Sequence, residues 1–133
     1  DSNDNSVTTL AINSETGLLS VTGTPAATGT QPFNIARTPA STFAYTTNFS
    51  SNNLSAFSIN ASTGALTLVA TMATGNDPLA ITLNDAGTVA YIVNGVDSTV
   101  AAYRVDSSTG LLTAVSSAAT GLLPRAFAIV AVP

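Results

Sequence analysis

The sequence predicts an all-β protein built from a four-stranded antiparallel repeat of about 46 residues, and three observations favour it. One turn sequence, Asx-x-x-Thr-Gly-x-Leu, occurs three times: NSETGLL at 13–19, NASTGAL at 60–66 and DSSTGLL at 106–112. A second Thr-Gly recurs at the same period, beginning at 28, 74 and 120, and a proline follows it at 32, 78 and 124. No window of helical length carries an apolar period of 3.6 residues. Repeats of this length indicate an architecture of stacked, similar units.

Each element of the repeat follows from its local sequence. LSAFSIN (54–60) and VAAYRVD (100–106) alternate large and small side chains, as half-buried strands do. In the turn that follows, the Asx side chain caps the backbone and a glycine is free to take positive φ. The turn glycines are Gly17, Gly64 and Gly110. LTLVATM (66–72) returns as the next strand, a Gly-x-x-Pro ends it, LAITL (79–83) begins another, NDAG turns the chain and VAYIVN (89–94) runs back.

A four-stranded unit of 40 to 50 residues is the blade of a β-propeller. Blades stack face to face, which explains why segments such as VAYIV and FAIVAV are apolar on both faces. A β-sandwich with coincidental spacing is the alternative. We therefore expect one propeller-like domain over 1–133, with repeats at approximately 5–51, 52–98 and 99–133.

The composition excludes several classes of partner. Only 8% of the residues are charged, the net charge is −4, and three arginines are the only cationic side chains. Nucleic-acid binding and binding to anionic membranes both need clustered Lys and Arg, so neither is expected. No apolar run approaches the roughly 20 residues of a membrane-spanning helix, so no membrane insertion is expected. An acidic, lysine-free chain rich in Thr, Ser and Asn is typical of secreted or cell-surface proteins, which is the location we expect.

The segments AYTTN (44–48) and AYIVN (90–94), each followed by a loop, a strand and the Thr-Gly turn, resemble the YVTN repeat. That family overlaps the lactonase-like seven-bladed β-propellers, in which Gly-x-x-Pro precedes the innermost strand. The resemblance covers nearly the whole chain and implies a propeller fold. Lactonases of this kind use Arg, Glu or Asp, and often His, at the mouth of the central channel. This chain has no His and a single Glu, so no catalytic residue is carried over.

If the strands of a blade are lettered A to D from the innermost outwards, the chain reads C-D, A-B-C-D, A-B-C-D, A, or eleven strands. Such a segment leaves apolar faces and unpaired edges at both ends, which natural proteins cover. We expect a homo-oligomer, or pairing with further blades, through strand addition that gives a ring or a filament. The assembly strands would be formed by Val7, Leu10 and Ile12 at one end and by Phe127, Ile129, Val130 and Val132 at the other.

The sequence assigns no catalytic residue, cofactor or metal site. Three sequons make Asn48, Asn53 and Asn60 candidates for glycosylation if the protein is secreted. Arg37 and Arg125 fall on innermost strands and are candidates for contact with a ligand in the channel. Asp77 and Asp97 are the one carboxylate pair to examine for calcium.

The leading functional hypothesis is a secreted or cell-surface, non-enzymatic propeller module that assembles with copies of itself or with further blades. The out-of-phase ends, the low charge and the missing catalytic groups support it. A fragment of a lactonase-like enzyme is the first alternative, and a ligand-binding propeller is the second.

Overall fold

The computed structural model describes residues 1–126, which form ten β-strands and no helix. The strands are β1 (Ser6–Ile12), β2 (Leu19–Ala27), β3 (Pro32–Arg37), β4 (Phe43–Asn48), β5 (Asn53–Ile59), β6 (Leu66–Ala73), β7 (Pro78–Leu83), β8 (Val89–Asn94), β9 (Thr99–Val105) and β10 (Leu112–Ala119). The all-β prediction is confirmed. Within residues 1–126, no helix is long and apolar enough to span a membrane.

The strands form three separate antiparallel sheets. Strands β1 and β2 make a two-stranded sheet, which we call the half-blade. Strands β3 to β6 make the first full blade and β7 to β10 the second full blade, each in simple sequential order. This is the predicted order C-D, A-B-C-D, A-B-C-D, with β3 and β7 as innermost strands. The predicted eleventh strand, with Phe127, Ile129, Val130 and Val132, lies outside the described residues.

The three Thr-Gly turns share one hydrogen-bonded structure. In each turn the side-chain oxygen of the Asx residue accepts two backbone N–H groups, those of the second and third residues after it, at 2.8–3.0 Å. The carbonyl of the same Asx accepts the glycine N–H at 2.7–2.8 Å. Gly17, Gly64 and Gly110 have φ of +73°, +72° and +74°, where a residue with a Cβ is strained. The turn therefore joins the two outer strands of every blade in the same way.

The core lies between the two full blades. All six residues of β4 are buried, and Tyr45, Leu54 and Phe57 are among the largest side chains that are fully buried. Tyr45 and Leu54 belong to one apolar cluster with Ile81 and Ile92 of the second full blade. The two middle strands of the first full blade, β4 and β5, are largely buried, in agreement with the apolar residues on both of their faces. The half-blade, by contrast, exposes Ile12 by 71%.

Each full blade runs from an innermost to an outermost strand, over residues 32–73 and 78–119. The sequence repeats at 5–51 and 52–98 begin instead near a strand of type C. Each repeat thus supplies the outer half of one blade and the inner half of the next. The repeat boundaries over 1–133 stay a prediction, because residues 127–133 are not described.

Candidate functional site

Each innermost strand begins with an irregularity that leaves one residue without a pairing partner in the sheet. In the first full blade Pro32 pairs with Asn48 and Asn34 with Thr47, so Phe33 is an extra residue between two paired ones. The second full blade has the same shift between Pro78 and Ala80, which leaves Leu79 in that position. β-Bulges bend a strand and redirect side chains, often beside functional sites. One period later the same position holds Arg125.

The residue before each proline has a left-handed backbone. Gln31, Asp77 and Leu123 have φ of 58°, 53° and 51°. The N–H of Gln31 donates to Oδ1 of Asn5 at 2.8 Å, and the N–H of Asp77 donates to Oδ1 of Asn52 at 3.0 Å. Asn5 lies just before β1 of the half-blade, and Asn52 lies just before β5 of the first full blade. Neighbouring sheets are therefore tied together where the innermost strands begin.

These junctions and bulges surround one cavity, which we call the mouth pocket. Its volume is about 320 Å³, and its lining includes Gln31, Phe33, Phe49, Asp77, Leu79 and Arg125. Phe33 is 60% exposed, and its ring lies 6.1 Å from the ring of Phe49 in a tilted arrangement. The pocket thus combines an aromatic pair, a carboxylate and a guanidinium. Such a set can bind a small, partly apolar molecule that carries an anionic group.

The backbone of Asp77 is fixed from two directions. Its N–H is held by Asn52, and its carbonyl accepts the N–H of Gly95 at 2.8 Å. Gly95 itself lies against Leu79, since a Cβ added to it would be 2.8 Å from Cδ1 of Leu79. The carboxylate at the pocket is therefore carried on a rigid segment.

The two arginines predicted to contact a ligand are not in the same cavity. Arg125 follows Pro124, the place that Phe33 and Leu79 take after the two earlier prolines, whereas Arg37 is the last residue of β3. Arg37 lines a different cavity of about 470 Å³, together with Thr82 and Asp85. Its guanidinium donates to the hydroxyl of Ser41 and to the carbonyl of Thr38. Arg37 therefore caps its own hairpin at the end of the strand opposite to the mouth pocket.

Asp77 and Asp97 do not form a cation site. The carboxylate of Asp97 accepts the backbone N–H and the side-chain amide of Asn76, both at 2.7 Å. These two hydrogen bonds lower the pKa of Asp97 below its usual value. Among residues 1–126, no group of three or more His, Cys, Asp or Glu side chains is placed to hold a metal.

The three sequon asparagines differ in accessibility. Asn48 is 0% exposed, and its amide nitrogen donates to Asn53 at 2.7 Å and to Ser55 at 3.0 Å. A glycan on that nitrogen would break both bonds and has no space in the folded blade, so Asn48 is removed from the candidates. Asn53 is half-buried and Asn60 is exposed, and glycosylation at these two stays a prediction.

The predicted assembly residues Val7, Leu10 and Ile12 lie on β1, which pairs only with β2 among the described strands. In both full blades the strand equivalent to β1 also pairs with a strand of type B, namely β4 or β8. The free edge of β1 therefore fits a B strand. The strand addition predicted from the sequence, which brings an innermost strand to this edge, does not match the blade order.

A model of the family described as lactonase, seven-bladed β-propeller, matches residues 2–81, more than half of the chain. The chain belongs to this family. The predicted resemblance to lactonase-like propellers is thereby confirmed. No curated protein sequence matches the chain.

Several solved structures match nearly all of this chain with about a third to two-fifths of their own length. A protein of unknown function from Desulfotomaculum acetoxidans is 32% identical, with a TM-score of 0.83, over 93% of this chain and 39% of that one. The periplasmic gluconolactonase of Pseudomonas aeruginosa is 19% identical, with a TM-score of 0.83, over 98% of this chain and 38% of that one. Hydrazine synthase of Kuenenia stuttgartiensis is 24% identical, with a TM-score of 0.68, over 91% of this chain and 32% of that one. The last two share the fold. The chain spans about two-fifths of the length of the first two.

The sequence made Arg125 a candidate for ligand contact, which stays a prediction, and did not indicate which residues surround it. The sequence suggested Asp77 and Asp97 as a pair, whereas in the structure Asp77 and Arg125 both line the mouth pocket. The aromatic pair Phe33 and Phe49 was not considered. A usable signal was present, because Gln31, Asp77 and Leu123 all precede a repeated proline and the next position holds Phe33, Leu79 or Arg125.

Proposed function

We propose that this chain supplies part of the substrate site of a lactonase-like propeller, and that the mouth pocket binds the lactone of a sugar acid. The observation that carries the proposal is the joint presence of Asp77, Arg125 and the exposed ring of Phe33 in one cavity. A cavity of about 320 Å³ is of the size that holds a small molecule. Membership of the lactonase propeller family supports the reaction class, as an argument from the fold.

Each group has a distinct role in this proposal. The guanidinium of Arg125 pairs with the carboxylate or phosphate of the sugar acid, which it binds better than a lysine would because its donors form a planar fork. The ring of Phe33 supplies an apolar surface for the C–H face of the sugar. Asp77, held by its backbone, accepts the proton of the attacking water.

The hydrolysis is balanced without any further reactant. Water adds to the carbonyl carbon of the lactone, the ring C–O bond breaks, and the proton of the water passes to the released hydroxyl group. The chain spans 39% and 38% of two of the matching structures, so the other groups around the substrate would come from further blades. In this proposal the 133 residues contribute binding and one proton acceptor.

The experiment is a titration of the chain with gluconate, the product of gluconolactone hydrolysis, followed by NMR. We expect saturable shifts at Phe33, Asp77 and Arg125. Arg125→Met should weaken binding about tenfold, as expected for the loss of a charge-assisted hydrogen bond. Arg37→Met is the matched control and should leave binding unchanged, since Arg37 lines another cavity. Unsaturated shifts, or equal losses in both variants, would contradict the proposal.

A structural role in assembly is the second candidate, and one observation favours it. The half-blade exposes large apolar side chains, with Ile12, Leu18 and Val21 exposed by 71%, 70% and 65%. Val21 pairs with Leu10, which is 48% exposed, so exposed apolar side chains lie side by side on this sheet, and such surface indicates an interaction site. In this candidate the protein is secreted or displayed at the cell surface and assembles with copies of itself. Light scattering during size exclusion tests it, because an assembly of copies has a mass that is a multiple of 13.3 kDa.

A further inference from the structure

Strand β8 ends at Asn94, and the next residue is Gly95, which makes the one Asn-Gly pair in the sequence. In such a pair the backbone nitrogen of the glycine can attack Cγ of the asparagine, because a glycine has no Cβ to hinder the approach. A five-membered imide forms, and ammonia leaves with the proton of the glycine N–H. Water then opens the imide to aspartate or isoaspartate. The net reaction converts an amide and a water into a carboxylic acid and ammonia, so no further reactant is needed.

The fold holds the two reacting groups away from this reaction. The N–H of Gly95 donates to the carbonyl of Asp77 at 2.8 Å. Asn94 is 2% exposed, and its side-chain nitrogen donates to the hydroxyl of Thr99 at 3.2 Å. Ring closure requires the nitrogen of Gly95 to leave Asp77, to lose its proton to a base from solvent and to approach Cγ of Asn94. The reaction therefore needs the end of β8 to open.

Close packing surrounds both members of the pair. Gly95 is buried, and a Cβ added to it would be 2.8 Å from Cδ1 of Leu79. The side chain of Asn94 lies against Gly75, since a Cβ added there would be 2.6 Å from its Cγ and 2.7 Å from its Nδ2. The site of the labile pair is thus a tightly packed corner of the second full blade.

This corner is unsuited to a carboxylate at position 94. Oδ1 of Asn94 is buried and accepts no hydrogen bond from any residue of 1–126. Oδ2 of Asp97 lies 2.5 Å from the point beside Gly75 that Nδ2 of Asn94 also approaches. Asp97 is held as an anion by its two hydrogen bonds from Asn76. An aspartate at 94 would therefore be a buried negative charge beside another carboxylate, which is costly.

We propose that Asn94–Gly95 is a deamidation site that the folded second full blade protects, and that its product keeps the end of β8 from closing again. Gly95 and Asp77 both line the mouth pocket, so the modification would also open one wall of that pocket. The inference rests on the contacts of this blade and is independent of the substrate proposed for the pocket.

The site is tested by following Asn94 and Asn48 in the full chain by tandem mass spectrometry, in mildly alkaline buffer with and without unfolding guanidinium chloride. Asn48 is the matched control, because it is also buried and ends the equivalent strand β4, but is followed by Phe49. In the unfolded chain Asn94 should deamidate about tenfold faster than Asn48, since a side chain on the next residue hinders the attack. The folded chain should deamidate Asn94 about a hundredfold more slowly than the unfolded chain, as for a segment that reacts when locally open.

Thr99→Val tests the protection, because it keeps the shape of the side chain and removes the acceptor of the Asn94 amide. It should raise the rate at Asn94 in the folded chain about threefold to tenfold, as expected for one hydrogen bond, and leave the rate in denaturant unchanged. Equal rates at Asn94 with and without denaturant would overturn the protection. Equal rates at Asn94 and Asn48 in the unfolded chain would overturn the site.

The effect of the product is tested with Asn94→Asp, by hydrogen exchange of the Gly95 amide. This amide should exchange about tenfold faster than in the native chain, because its bond to Asp77 opens more often. The same substitution made in an Asp97→Asn chain should have a smaller effect, since the neighbouring charge is gone. Unchanged exchange in Asn94→Asp would overturn the effect of the product. If Asn94→Asp alone does not fold, failure of Asp97→Asn to restore folding would overturn the role of the neighbouring charge.

Discussion

The phenol of Tyr45 and the carbonyl of Gly110, 65 residues apart in sequence, form a buried hydrogen bond of 2.9 Å between two blades. The tyrosine belongs to the AYxxN segment and the glycine to the Thr-Gly turn, so this bond joins the two most regular features of the repeat. Burial raises the pKa of Tyr45 to about 12, and the negative charge of Asp106 adds to the effect. The repeated sequence elements are therefore recognition elements between blades as well as elements of one blade.

Removing this phenol should weaken the contact between the blades. We expect Tyr45→Phe to lower the free energy of unfolding by about 1–3 kcal/mol, because the buried Gly110 carbonyl loses its partner. Urea unfolding followed by circular dichroism measures the change. Tyr103→Phe is the control, since the phenol of Tyr103 makes no hydrogen bond within residues 1–126. A cost for Tyr45→Phe no larger than for Tyr103→Phe would contradict the role of the bond.

The raised pKa of Tyr45 predicts a loss of stability in alkali. The unfolded chain releases this proton near pH 10, whereas the folded chain keeps it to about pH 12. The unfolded state therefore binds fewer protons in this interval, and the free energy of unfolding falls as the pH rises from 10 to 12. The fall attributable to Tyr45 is at most about 3 kcal/mol, since one pH unit corresponds to about 1.4 kcal/mol. Thermal unfolding between pH 9 and 12 should show a smaller fall in Tyr45→Phe; identical pH profiles would count against the prediction.

The turn glycines should differ in their tolerance of alanine. Gly110→Ala places a Cβ against the ring of Phe43 and keeps φ at +74°, so strain and overpacking add. We expect a loss of about 2–5 kcal/mol in urea unfolding. Gly17 has a φ of +73° with nothing within 4 Å of an added Cβ, so Gly17→Ala should cost only the backbone strain, about 1–2 kcal/mol. Equal costs would show that Phe43 moves aside freely.

Asp106 should be replaceable by asparagine but not by alanine. Its carboxylate accepts the N–H groups of Ser108 and Thr109 at 2.8 Å and 3.0 Å, and these bonds lower its pKa. Asn13 and Asn60 make the same bonds in the other turns. Asp106→Asn should therefore keep the melting temperature at pH 7 close to that of the native chain, whereas Asp106→Ala should lower it.

The same variant separates the charge of Asp106 from its turn-capping role. The stability contributed by the ionised carboxylate is present above the usual pKa of 3.8 and is lost as the pH falls through the lowered pKa. Asp106→Asn should remove this acid-dependent part. It should also lower the pKa of Tyr45, because Asp106 contributes to the raised value. Absorbance of tyrosinate during alkaline titration measures that change. An unchanged titration would contradict the electrostatic effect of Asp106 on Tyr45.

The repeat itself was predictable because turn chemistry is local. An Asx side chain, a Thr-Gly pair and a proline act on the backbone within a few residues, so their spacing predicted strand order and turn structure before any contact was known. The position of β1 and β2 as an incomplete blade followed from the same spacing.

The candidate site was less predictable because its members come from different blades. Phe33, Phe49, Asp77 and Arg125 meet only after two sheets are packed side by side and a bulge has redirected Phe33. Local patterns contain no information on which loops converge. For the same reason the burial of Asn48, which removes it from the glycosylation candidates, could not be predicted from its sequon.

The sequence by itself determined the family, the blade and its turns, since each depends on residues near one another in the chain. The tertiary structure alone decided that Arg37 and Arg125 belong to different cavities, that Tyr45 binds Gly110, and that the free edge of β1 fits a B strand. These contacts join residues that lie about 46 residues or more apart in the chain. Which groups touch therefore depends on the spatial order of the blades and on the register between strands.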